Sequence, residues 1–141
     1  MEFGAIALAI MAAFTGAALY INIVEHPARR VLLDADMLAQ WQRSYPRARR
    51  MQASLVMAGF FFGMVGLLWT GKGLYLTGSL FTLAIWVVTR KWIMPLNTTL
   101  MATNADDADA GTRALLEKWN ILHVVRAGLG ILAVLSFFAA L

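Results

Sequence analysis

The stretch FGAIALAIMAAFTGAALYINIV, residues 3–24, has no charged side chain and is long enough to cross the apolar part of a bilayer. Three more apolar stretches follow. The third of the four stretches is long enough to cross the membrane only if it includes Arg90 and Lys91, whose charged ends can reach the membrane interface. A turn over residues 71–73 makes the second and third stretches an antiparallel hairpin. We therefore predict an all-α integral membrane four-helix bundle, with helices over residues 3–25, 51–70, 74–94 and 119–141.

The overall composition agrees with a membrane location. The chain has 141 residues, of which 60% are hydrophobic and 14% are charged. Soluble domains carry about 25% charged residues, and so few polar side chains would not cover this apolar content in water. The length predicts one domain, residues 1–141. The absence of cysteine excludes disulfides, thiolate metal sites and a cysteine nucleophile.

The basic residues predict the orientation. The long loops, residues 26–50 and 95–118, together with Arg90 and Lys91 at the end of the third helix, hold ten Lys and Arg residues, whereas the opposite side has only Lys72. By the positive-inside rule both loops face the cytoplasm and both termini lie outside, which we expect for a bacterial inner membrane protein. Residues 34–43 and 112–118 of these loops are expected to be helical. The net charge of +4 is thus explained without nucleic acid, and it favours contact with anionic membrane lipids.

Small residues recur at helical spacing in two helices. Ala5, Ala9 and Ala13 follow one another at intervals of four, and Gly59 and Gly63 do the same. Small side chains let helices approach closely in lipid, so we expect packing inside the bundle or, alternatively, a homo-oligomer through these faces. Four tryptophans are expected in the aromatic belt at the membrane interface, namely Trp41, Trp69, Trp92 and Trp119. Trp86 is expected in a cavity wall instead.

Polar residues near the membrane are few, and they gather at the cytoplasmic ends of the helices. Asn22, Glu25 and His26 share one face of the first helix, which we expect to end before Pro27. Trp119, His123 and Arg126 share a face of the fourth helix, and Asn97 follows the third. Such residues are costly in a membrane and often functional. Simpler interpretations are an ion pair between Glu25 and Arg126 and an interfacial position for His26.

Three chemistries are compatible with this cluster. His26, His123 and Glu25 are a donor set suited to a transition metal. The two histidines alone are able to bind a haem from facing helices. A histidine near a carboxylate or an arginine is also able to act as general base on an apolar, acidic substrate. The residues alone do not choose among the three.

The same residues resemble a known family. The pattern Asn22-x-x-Glu25-His26-Pro27, then Pro95-x-Asn97, then Trp119-x-x-x-His123-x-x-Arg126 is similar to that of the anthrone-oxygenase-like family of small four-helix membrane proteins, and Trp41 and Tyr45 also fit. The resemblance implies oxidation of an anthrone to an anthraquinone by molecular oxygen without an obvious cofactor, because the deprotonated substrate reacts with oxygen directly. It further implies that His123 or His26 is the base and that Arg126, Asn22 and Asn97 bind phenolate oxygens.

The first functional hypothesis is therefore a membrane oxygenase or oxidoreductase for a lipophilic phenol, anthrone or quinol bound at the cytoplasmic end. Two alternatives stay open: a haem- or metal-binding redox protein that uses His26 and His123, and a non-catalytic subunit of a membrane assembly. In addition to the metal-ligand set given above, the site is expected to contain catalytic and substrate-binding residues. The catalytic residues are His123, His26 and Glu25, and the substrate-binding residues are Asn22, Asn97, Trp119 and Arg126.

Overall fold

The computed structural model describes residues 2–141, which form four long helices and a short 3-10 turn. All four helices are long and apolar enough to cross a membrane, which confirms the predicted fold class. Helix α1 comprises Glu2–Tyr20, a π-helical turn Ile21–Glu25, and His26–Arg30; α2 is Asp34–Thr70; α3 comprises Gly73–Val88, a π-helical turn Thr89–Ile93, and Met94–Ala102; the 3-10 turn is Ala105–Asp107; and α4 is Ala110–Ala140.

The helices follow one another around the bundle. Helix α1 packs against α2 and α4, and α3 also packs against α2 and α4, so α1 and α3 lie diagonally. The predicted hairpin between α2 and α3 turns at Gly71, whose φ of 68° favours a residue without a Cβ. The next residue, Lys72, donates from Nζ to the backbone oxygen of Ala140 at 2.7 Å and so ties this turn to the end of α4.

The predicted loops are much shorter than expected. Most of residues 26–50 is helical, as are Met94–Ala102 and the residues from Ala110 onward. The apolar stretches marked the membrane-crossing parts, but amphipathic sequence continues each helix beyond them. Met37, Leu38 and Trp41 in this extension are fully buried, so tertiary packing stabilises helix where the mean hydropathy is low.

Helix α1 also continues past Pro27, where we expected it to end. A proline lacks the N–H that an α-helix would use, and its ring crowds the preceding turn. The helix accommodates this with a π-helical turn, in which His26 N–H donates to the oxygen of Ile21, five residues back. Helix α3 does the same before Pro95, because Met94 N–H donates to the oxygen of Thr89. Both interruptions therefore lie immediately before an X-Pro step.

Two hydrophobic clusters fill the bundle. The first, which we call the apolar core, is built around Met11, Phe14, Tyr75 and Phe137. The second, which we call the basic-end core, is built from the extensions and their neighbours: Ile21, Met37, Leu38, Trp41, Ile93, Leu100, Leu116 and Trp119.

Only one of the two small-residue patterns packs inside the bundle. Gly59 and Gly63 are buried, and a Cβ on Gly63 would lie 2.7 Å from Cζ of Phe137. The alanines of α1 do not pack inside the bundle, because Ala5, Ala9 and Ala13 are exposed, so for this face only the homo-oligomer alternative stays a prediction. The buried face of that helix is instead formed by Ala7, Met11, Phe14 and Ala18.

Candidate active-site cavity

A cavity of about 150 Å³ lies among the four helices beside the basic-end core. Helix α2 contributes lining residues at intervals of four, so that one face of this helix forms an entire wall of the cavity. The two π-helical turns lie in the walls contributed by α1 and α3, and such turns recur at functional sites. Its lining includes Glu25, Arg29, Gln52, Asn97, Trp119, His123 and Arg126.

Arg126 and His123 form a buried pair on α4. The exposed fractions are 7% for Arg126 and 4% for His123. Nη1 of Arg126 lies 2.9 Å from Nε2 of His123, and Nδ1 of His123 lies 3.0 Å from the backbone oxygen of Trp119. Since the carbonyl only accepts and the guanidinium only donates, His123 is neutral with its proton on Nδ1. Its basic nitrogen is therefore occupied by Arg126.

An aromatic assembly holds this pair in place. The Trp119 ring stacks on His123 with centroids 3.7 Å apart, and its Nε1 donates to Oδ1 of Asn97 at 2.8 Å. Trp41 meets Trp119 edge-on at 5.7 Å and stacks on Tyr45 at 4.7 Å. Residues of α2, α3 and α4 therefore fix the orientation of His123 together. Trp41 and Trp119 are buried rather than interfacial, whereas Trp86 lines the cavity as predicted.

Among the residues whose side chains the structure describes, Glu25 is the only carboxylate in the cavity wall, and it is paired with an arginine that was not predicted as a site residue. Nη2 of Arg29 lies 2.7 Å from Oε1 of Glu25, one helical turn earlier. Arg29 is only 2% exposed, its Nε donates to Oε1 of Gln40, and its Cζ lies 6.0 Å from the centroid of Trp119. The expected ion pair between Glu25 and Arg126 is therefore wrong, because the continued α1 helix places Arg29 beside Glu25.

Two expected site residues do not line the cavity. The amide nitrogen of Asn22 donates to Oδ1 of Asn120 at 2.7 Å. His26 is completely buried instead of interfacial, and its Nε2 lies 3.3 Å from Oε2 of Glu117. Glu117 also pairs with Arg30. The π-helical turn and the continued helix place these two side chains beside Asn120 and Glu117. The other five predicted site residues line the cavity without them.

The histidines do not fit the metal or haem alternatives. Within residues 3–141, no three His, Asp or Glu side chains are grouped as a metal ion would need. A haem ligand must offer a free ring nitrogen, and both nitrogens of His123 are engaged with Arg126 and Trp119. His26 faces Glu117 and does not line the cavity. The donor set therefore gives no support to a site shared by the two histidines.

The cavity wall contains three buried nitrogen donors that have no hydrogen-bond partner. They are Nε of Arg126, Nη1 of Arg29 and Nε2 of Gln52. Buried polar groups are rarely left unpaired, and such groups in a cavity indicate the polarity of a ligand. Because all three are donors, the arrangement favours a ligand that offers oxygen acceptors.

Two of these donors were not predicted from the sequence, for a recognisable reason. Arg29 and Gln52 both lie where the sequence had placed loop or plain membrane helix, and Arg29 was counted only as a topology signal. The available clue for Gln52 was its amide, which is the one long polar side chain between Arg50 and Thr70. A polar side chain within an apolar stretch is costly and merits attention.

The cavity extends to the outer surface of the bundle between α2 and α3. Two of its lining residues there, Met57 and Trp86, are 69% and 53% exposed. Both side chains are apolar, and they lie on helices that are suited to contact lipid. The cavity thus has apolar side chains at this opening on the flank of the bundle, whereas its basic lining residues include the exposed Arg49 and Arg90 and the buried Arg29 and Arg126.

A family model described as anthrone oxygenase matches residues 41–136, about two thirds of the chain. The match includes α2 from Trp41 onward, all of α3, and most of α4 with Trp119, His123 and Arg126. Neither a curated protein nor a solved structure matches the chain.

Proposed function

The chain belongs to the anthrone oxygenase family, and from this membership and the cavity we propose that it oxidises a lipophilic phenol of the anthrone type. The substrate binds in the cavity with its ionised oxygen at Arg126. The single observation that carries this assignment is the buried guanidinium of Arg126, which lines the cavity and has no carboxylate partner among residues 3–141.

A buried cation of this kind needs compensation. Removing a charge from water costs several kcal/mol unless an opposite charge or hydrogen bonds replace the water. Arg126 has His123 and the face of Phe14, whose centroid lies 5.4 Å from Cζ, but both partners are neutral. An oxyanion at the free Nε supplies the missing charge. The site therefore favours the ionised form of a weakly acidic substrate over its neutral form.

Stabilising that anion is sufficient to start the reaction. An anthrone loses a proton from its methylene carbon, and the negative charge delocalises onto the carbonyl oxygen that Arg126 binds. Molecular oxygen adds to the carbon, and protonation yields a hydroperoxide. Loss of water then leaves a second carbonyl, so that the CH₂ group and O₂ give C=O and H₂O. The protein contributes by binding and ionising the substrate.

The wall residues receive distinct roles in this scheme. Glu25 is the only carboxylate that residues 3–141 contribute to the cavity wall, and we assign it as the acceptor of the substrate proton. His123 is a positioning residue, because its Nε2 accepts from Arg126 and leaves Nε of Arg126 toward the ligand. Asn97 acts one step further away through Trp119. The substrate enters from the bilayer between Met57 and Trp86, in the half of the bundle that we place on the cytoplasmic side.

Turnover by the purified protein in liposomes tests this proposal. Anthraquinone formation from a hydroxylated anthrone is followed by absorption, together with oxygen uptake, against protein-free liposomes that report spontaneous oxidation. We expect Arg126→Met to lose about 100-fold in rate, the cost of removing a charge partner. Arg43→Met, on an exposed arginine that does not line the cavity, is the matched control and should retain the full rate. A wild-type rate equal to the protein-free rate would overturn the assignment.

A further inference from the structure

Gln52 carries an unpaired donor at a second point of the cavity wall. Its side chain is 2% exposed, and its Nε2 has no hydrogen-bond partner. A buried amide without a partner costs about 1–3 kcal/mol, so an apolar residue would be better for folding alone. The cost is offset if a ligand accepts this hydrogen bond.

The position of Gln52 separates it from Arg126. Gln52 lies on α2, on the lining face that includes Ala48 and Val56, whereas Arg126 lies on α4. The two helices occupy opposite positions in the bundle, with α1 and α3 between them. The donors therefore approach the cavity from different walls, and one ligand oxygen is not required to serve both.

We propose that Gln52 is a substrate-binding and specificity-determining residue that donates a hydrogen bond to a second oxygen of the ligand. This inference rests on the proposed function, in which Arg126 binds the first, ionised oxygen. The geometry selects a flat apolar molecule with two separated oxygen acceptors over one with a single oxygen. Such polar selection is strong in proteins, because a ligand that lacks the oxygen leaves the buried donor unpaired.

Two probes that differ only in oxygen content test the assignment by equilibrium binding without oxygen, so that no turnover is required. Anthrone carries one oxygen, and a dihydroxyanthrone whose hydroxyl groups lie on the edge of the rings away from the carbonyl carries two more, which are well separated from the first. We expect wild-type protein to prefer the dihydroxy probe, and Gln52→Met to reduce this preference about tenfold while binding anthrone as before. The Gln52→Leu variant also lacks the donor and introduces no charge, and it should lose the preference as well. Ser54→Ala, on the exposed side of α2, is the control.

The outcomes separate this assignment from the proposed function. An equal preference in wild type and in both Gln52 variants would overturn the role of Gln52 and leave the role of Arg126 intact. A wild-type protein that binds neither probe would overturn both. The assignment would be supported if the Gln52 variants have a reduced preference but unchanged anthrone affinity, and if anthrone affinity is lost only in Arg126→Met. The site would then recognise two oxygens of the ligand.

Discussion

The apolar core and the basic-end core are built from the same four helices, yet they are packed in different ways. In the apolar core, the ring of Phe137 lies so close to Gly63 and Gly78 that no Cβ would fit at either position. Beside the basic-end core, the helices separate around a cavity whose wall holds unpaired donors. Stability and ligand recognition are thus assigned to different ends of one bundle. Active sites commonly sacrifice local stability in this way.

Phe137→Ala should have the largest effect on stability. The side chain is fully buried in the apolar core, and truncating a buried phenylalanine costs about 3–5 kcal/mol. Unfolding in detergent by heat or denaturant measures the loss, and probe affinity per folded molecule should not change. Phe138→Ala, one residue along and 66% exposed, is the control. A stable Phe137→Ala protein with lost affinity would contradict the division between the two ends.

Gly63→Ala should destabilise the bundle by about 1–3 kcal/mol through overpacking. The new methyl would lie 2.5 Å from Oγ of Ser79 and 2.7 Å from Cζ of Phe137, and both groups are held by packed helices. Gly16→Ala is the matched control, because no atom lies within 4 Å of its Cβ position. We expect that control to be neutral or slightly more stable, since alanine favours helix. Equal melting temperatures for the two variants would show that the close packing at Gly63 is not required.

Substitutions at His123 sharpen the comparison at the basic end. If His123 positions Arg126, Gln supplies a replacement acceptor and Leu does not, so we expect His123→Leu to lose about tenfold more turnover than His123→Gln. The His123→Gln variant should melt near the wild-type temperature, whereas His123→Leu should melt lower because buried Arg126 loses its acceptor, so turnover is compared per folded molecule. The readouts are kcat and KM in liposomes together with the pH profile of kcat, which should keep its shape in His123→Gln. Complete inactivity of both variants, with unchanged probe binding, would instead identify His123 as the base.

The sequence predicted the four helices because an apolar stretch of spanning length has few alternatives in a membrane. It also predicted that Trp119, His123 and Arg126 would share a face, since that follows from helical spacing. It did not predict the π-helical turns at Ile21–Glu25 and Thr89–Ile93, which depend on how a proline is accommodated within a packed helix. Those turns and the continued helices decide that Glu25 meets Arg29 and that His26 meets Glu117. Partner choice of this kind depends on tertiary packing.

The ionisation state of a bound probe tests the central claim most directly, namely that Arg126 binds an oxyanion in the cavity. A phenolic anthrone changes its absorption spectrum when it ionises, so its apparent pKa can be measured bound to wild-type protein and to Arg126→Met under anaerobic conditions. We predict that wild-type protein lowers the pKa of the bound probe below its value in protein-free liposomes, because a nearby cation favours the anion. Arg126→Met should abolish that decrease. An equal probe pKa in both proteins would contradict the account.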